Sequence, residues 1–201
     1  MTAITQFDPD AIRVANNGII VVAATGTTIP ALTHSQHALT AWADPFVSLG
    51  TFNEDGVEHE FSEDTEDIKT WQLGLVRTIV KGRSATLKIG AVESSKATLE
   101  RFYGAEFVVT GASGSEIAKL TVTNTAPRPA ELYVFEWLDS ATGAVWRCVF
   151  ERGQVGKVES PKFNAKGALE WGMTLSALGG SANSTLMYWE TNDPAIAVAG
   201  S

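Results

Sequence analysis

Cysteine is almost missing from this chain: Cys148 stands alone in 201 residues, so no intramolecular disulfide can form. Histidine is nearly as scarce. His34 and His37 have the three-residue spacing of two metal ligands on a helix, but His59 is remote in sequence and no cysteine is close, so ordinary surface histidines are the expectation. Basic residues are in deficit, with 15 Lys and Arg against 23 Asp and Glu and a net charge of −8, which argues against a protein that grips phosphate backbones. Long apolar runs are lacking too. Residues 18–24 are too few to span a bilayer, and residues 1–10 have no basic start of a secretory leader, so the expectation is a chain kept soluble in a cytoplasm without membrane partners. No Gly-x-Ser-x-Gly elbow occurs. Gly111-Ala112-Ser113-Gly114-Ser115 is not followed by Lys-Ser or Lys-Thr, and reads as a flexible turn, not a phosphate loop.

What is present is a β-leaning globular composition: 44% hydrophobic, 19% charged, 18 glycines. A single domain of this length buries roughly 70% of its unfolded surface, so one domain over residues 1–201 is expected, with an N-terminal arm at about 1–17 and a C-terminal tail at about 190–201. Residues 19–23 form a buried-type apolar strand, and residues 31–43 a short helix or a loop before Asp44-Pro45. Ser94 or Ser95 as N-cap, Leu99, Phe102 and Tyr103 at helical spacing and Gly104 as a stop predict one helix, its apolar stripe packed on a sheet or on a neighbouring subunit. Residues 116–123 alternate with Ala118, Leu120 and Val122 inward. The clearest hairpin joins residues 131–139 to 144–151 through Ser140-Ala141-Thr142-Gly143, with Tyr133, Phe135 and Trp137 facing Trp146, Cys148 and Phe150. A further strand is expected at 169–178. One helix amid seven or more strands predicts a mainly β fold, a β-sandwich or barrel with one packed α-helix.

The most specific stretch is 46–71, which places eight carboxylates within fourteen residues: Glu54, Asp55, Glu58, Glu60, Glu63, Asp64, Glu66 and Asp67. Residues 46–50 read as a short strand, Asn53-Glu54-Asp55-Gly56 as a tight turn, and 57–62 as the return strand, because Asp-Gly supplies the positive φ of hairpin turns. Val57, His59 and Phe61 then share one face, and Glu58, Glu60 and Ser62 the other. Residues 63–67 follow as a polar loop. Beyond it, 69–80 alternate as a strand with Trp71, Leu73 and Leu75 on one face, and Ala85, Leu87 and Ile89 continue the pattern past Lys81-Gly82-Arg83. A calcium loop counted from Thr51 fits at Gly56 but fails at its first position, Thr51, and its twelfth, Ser62.

Leu49-Gly50, Glu54-Asp55-Gly56 and Asp67-Ile68-Lys69-Thr70-Trp71-Gln72 together resemble the tail tube, or major tail, proteins of long non-contractile-tailed bacteriophages, and Gly26-Thr27-Thr28-Ile29-Pro30 is similar to an element after that family's first strand. The resemblance implies a virion structural protein of the tail, without catalysis or cofactor. Its subunits would form hexameric rings that stack into a tube, the conduit for DNA ejection into the host, with double-stranded DNA passing through the lumen without specific binding. It also implies tape measure, tail terminator and distal tail proteins as partners, and assembly in the host cytoplasm. On this reading Asn53, Glu54, Asp55, Gly56, Glu58, Glu60, Glu63, Asp64, Glu66 and Asp67 are candidates for ring-to-ring contact or lumen lining, with both arms as stacking contacts. A solvated acidic turn and loop is the plainer alternative.

Other chemistries have thinner support. Glu136 and Glu151 are the nearest thing to a glycosidase pair, but alternation with Tyr133, Phe135 and Trp137 predicts that Glu136 faces outward. Cys148 between Trp146 and Phe150 reads as a buried, inert thiol. The six tryptophans leave open a β-sandwich carbohydrate-binding module, and another phage tail or head-completion protein of related fold is the remaining alternative.

Overall fold

The computed structural model describes residues 11–165, 167–180 and 184–197. It is mainly β with one helix. Ten strands and the helix follow in the order β1 (Ala15–Ala24), β2 (Val47–Ser48), β3 (Phe52–Thr70), β4 (Gly74–Ala91), α1 (Lys96–Tyr103), β5 (Phe107–Thr110), β6 (Ile117–Leu120), β7 (Glu131–Asp139), β8 (Val145–Val158), β9 (Trp171–Ala177) and β10 (Tyr188–Thr191). An eight-stranded antiparallel sheet runs β2-β1-β7-β8-β9-β4-β3, with β10 also on β8, and β5 and β6 form a separate pair.

Period-two alternation explains the core. Ile20 and Val22 of β1, Tyr133 and Phe135 of β7, Cys148 and Phe150 of β8, Met173 and Leu175 of β9 and Leu87 and Ile89 of β4 meet in one cluster with Phe102 of the helix. The opposite set, Val21, Ala23, Leu132, Val134 and Val149, packs with Phe46, Ile29 and Trp42 from the segment between β1 and β2. The middle of the sheet is therefore buried on both faces. The β7–β8 hairpin has the register the aromatics predict: Tyr133 opposite Phe150, Phe135 opposite Cys148, and Trp137 opposite Trp146 with rings stacked at 5.4 Å.

The helix forms as its signals predict. The Ser95 hydroxyl accepts from the Thr98 N–H at 3.2 Å, and Gly104 closes the last turn at φ 65° with its N–H bonded to the Glu100 carbonyl. Phe102 lies edge-on to Trp171 at 4.9 Å, Leu99 packs partly buried against the core, and Tyr103 stays 37% exposed.

Of the two readings left open for residues 31–43, the structure shows the loop, with neither helix nor strand. Three expectations are corrected. Ala118 and Val122 are exposed, because β5–β6 is a two-stranded flap and not part of the main sheet. Glu136 does occupy the face opposite Phe135, but it is fully buried, since the segment between β1 and β2 folds over that face. There the Arg147 guanidinium donates to Glu136 at 2.7 and 2.9 Å, to Thr40 Oγ1 at 2.9 Å and to the Pro30 carbonyl at 2.8 Å, and it lies 5.2 Å from the Trp42 ring centre. Finally, part of the expected C-terminal tail is fastened to the body. Asn192 accepts from the Val145 N–H, and Asp193 pairs with Arg13 near the start of β1. Residues 1–10 and 198–201, the outer parts of both expected arms, lie outside the described residues.

Candidate assembly surface

The acidic stretch does not turn at Asn53-Gly56. Gly56 has φ 70° within β3, at a register irregularity between Phe52 and Val57, and the strand runs on to Thr70. A glycine in this conformation serves a bulge as well as a turn, so the dipeptide alone did not decide between them. The turn comes at Trp71-Gln72-Leu73, closed by Gly74 at φ 68°, and the expected 69–80 strand is in fact split by it. The expected loop 63–67 is strand, and Lys81-Gly82-Arg83 lies within β4, with Asp64 opposite Gly82.

The product is one long hairpin with a rooted and a free part. At its root, Val57 faces Ile89 and His59 faces Leu87, and this face packs on the core; His59 lies edge-on to Trp189 at 5.6 Å, where burial lowers its pKa. From residue 60 to residue 84 every side chain is exposed. With a rise of about 3.3 Å per residue, residues 57 to 71 reach roughly 45 Å.

Most of the predicted contact residues are on this hairpin, but they do not form one acidic surface. Glu63 pairs with Arg83 at 2.7 Å, Glu66 with Lys81 at 2.8 Å, and Asp67 accepts from Thr78 Oγ1 at 2.7 Å. Lys88 lies between Glu58 and Glu159 at 3.9 and 3.7 Å. Glu60 and Asp64 are exposed. Asn53, Glu54 and Gly56 line a recess of about 350 Å³ at the root, beside Gly18, Phe135 and Trp137. Asn53 donates to Glu170 at 2.9 Å, while its Oδ1 is buried without a hydrogen-bond partner. Exposed pairs of this kind contribute little to stability, about 0–1 kcal/mol each. They do offset the repulsion that eight adjacent acids would otherwise create.

The sequence reading missed the free end. Trp71 is 98% exposed and Leu73 78%, and Leu75 and Val76 are also more than half exposed. Lys69 and Arg77 flank them, and no acid occurs between 68 and 77. The hairpin is therefore apolar and cationic at its tip and acidic at its root. The signal was present in the alternation on both sides of Trp71-Gln72-Leu73-Gly74, which read as one strand when the glycine was taken as an ordinary strand position.

Among the described residues no three His, Cys, Asp or Glu side chains are grouped to hold a metal ion, and Glu136 is held by Arg147 while Glu151 is exposed on the same sheet. Cys148 is buried, and burial pushes its thiol up to about 12. The six tryptophans do not gather at one surface: Trp171 is buried, Trp137, Trp146 and the partly exposed Trp189 cluster, and Trp71 stands at the hairpin tip. No helix is long and apolar enough to cross a membrane among the described residues.

A family model described as phage tail tube protein matches residues 5–200. No curated protein matches the chain. Among solved structures, the chain is similar to the tube-terminating cap of the anti-feeding prophage, with 10% identity and a TM-score of 0.47 over 94% of this chain and 99% of that one. It is also similar to a chain of the sheath-tube complex of an extracellular contractile injection system, at 12% identity and TM-score 0.45 over 94% and 99%, and to one of a native gene transfer agent particle, at 14% and 0.36 over 67% and 85%. These likenesses are distant, and the family assignment stands on the family model.

Proposed function

Because the chain belongs to the phage tail tube protein family, and is thereby a structural component of a phage tail, we propose that it self-assembles into hexameric rings that stack into the tube through which DNA is ejected. The observation that carries this reading is the hairpin free from residue 60 to residue 84. A two-stranded hairpin alone in water is marginal, and an exposed Trp and Leu at its end are the kind of surface that a partner covers. The sheet supports lateral growth as well. Among the described residues, strand β3 pairs with β4 alone and has no strand on its other edge, while β1 at the opposite end pairs with β2 through Val21 and Val22 alone. A neighbouring subunit that adds a strand at such an edge satisfies backbone groups now left to water.

Net charge supports the conduit. With −8 per subunit, a ring repels phosphates, so a duplex slides through without sticking. The partners of this role are other copies of the chain, together with tape measure, tail terminator and distal tail proteins, and assembly takes place in the host cytoplasm before the tail becomes part of the virion. Negative-stain electron microscopy of concentrated protein, with light scattering for mass, tests it. Rings or hollow tubes are expected. A monomer that persists at every concentration and salt would count against self-assembly. Hydrogen exchange gives a second check: amides of residues 60–84 should exchange fast in free protein and slowly in tubes, and equal protection in both states would refute the role of the hairpin.

A further inference from the structure

We propose that the hairpin tip of one subunit plugs the recess at the hairpin root of a second copy, with Trp71 entering the recess and Lys69 and Arg77 meeting acids at its rim. This rests on the self-assembly reading and names the surface that receives the hairpin. Two observations support the fit. The recess is open, about 350 Å³, with Phe52, Val57, Phe135 and Trp137 as apolar walls and no Lys or Arg lining it. Glu54 lines it, and Asp55 beside Glu54 is exposed, so the rim is acidic where the tip is cationic.

Geometry forces the contact to be between molecules. The recess is at the root of the same hairpin, and the tip is roughly 45 Å away along a continuous strand pair. A subunit cannot fill its own recess. Each copy then offers one tip and one recess, a head-to-tail contact that does not satisfy itself and propagates from layer to layer. The buried aromatic anchor with charged neighbours is the arrangement of an interface hot spot.

The test uses the whole chain. Trp71→Ala should leave the monomer folded by circular dichroism, because the side chain touches nothing in the body, and should raise the concentration needed for assembly at least about tenfold. Charge reversal supplies the pairing: Lys69→Glu with Arg77→Glu, and Glu54→Lys with Asp55→Lys, should each weaken assembly, and the four together should restore it. Trp71→Cys protein mixed with Asn53→Cys protein should form a disulfide-linked heterodimer under mild oxidation, with Cys148 buried and silent. If wild-type protein forms tubes but the two cysteine variants do not cross-link, or the charge reversals are not rescued, the tip-in-recess contact is overturned and the tail tube reading stands. Wild-type protein that never assembles overturns both.

Discussion

Removing the carboxylate of Glu136 is the most informative perturbation of the fold. Arg147 and Glu136 are both fully buried and opposite each other on β8 and β7, so Glu136→Ala leaves a guanidinium in the interior with Thr40, Pro30 and the half-exposed Glu190 as its remaining partners. Breaking one side of such a pair costs about 3–5 kcal/mol. With a urea slope of about 2 kcal/mol/M, the unfolding midpoint should fall by roughly 1.5–2.5 M. Glu136→Leu combined with Arg147→Met should recover most of that loss, since an apolar pair of similar volume avoids the desolvation of two charges. The recovery should not extend to the segment between β1 and β2. Its Thr40 N–H and Pro30 carbonyl are held by this pair, so its amides should exchange faster in the double variant than in wild type. Equilibrium urea unfolding and hydrogen exchange read the two effects. A single variant that loses less than about 1 kcal/mol, or a double variant no better than the single, refutes the argument, because a buried charge would then be tolerated without its partner.

Asp139 gives a pH prediction. The Val14 N–H and the Thr142 hydroxyl donate to it and hold its carboxyl down to about 2. Its folded value lies below the unfolded one, so its stabilisation is complete above about pH 4 and is lost as pH falls toward about 2. Asp139→Asn should therefore flatten the acid limb of a plot of urea midpoint against pH, and an unchanged limb would exclude the assignment. Ser95→Ala removes the helix cap and should cost about 1 kcal/mol in thermal or urea unfolding, and a loss below a few tenths would refute the cap's contribution. Cys148, buried and with its thiol pushed up to about 12, should stay unreactive toward an aromatic disulfide reagent in native protein and react fully in urea.

Local signals determined several elements before any tertiary contact was known. Ser95 and Gly104 bracket the helix because capping is settled within four residues of chain. Strand β1 follows from a continuous apolar run, which is buried on both faces, and the β7–β8 hairpin from alternation with bulky apolar residues. The mainly β class and the tail tube resemblance were legible for the same reason, as patterns of spacing along the chain. Contacts across long separations were not. Arg13 meets Asp193 and Asn192 meets Val145 only after the sheet has formed, so the expected C-terminal tail begins with residues bound to the body. Glu136 alternates like a surface residue, and only the fold brings the segment around Pro30 and Thr40 over it. The hairpin shows the limit most clearly. Gly56 and Gly74 share a positive φ, yet one interrupts a ladder and the other reverses the chain, and cross-strand register over 52–91 decides which. The sequence by itself determined which residues alternate; tertiary pairing decided where the chain turns and so left Trp71, not the acids, at the tip.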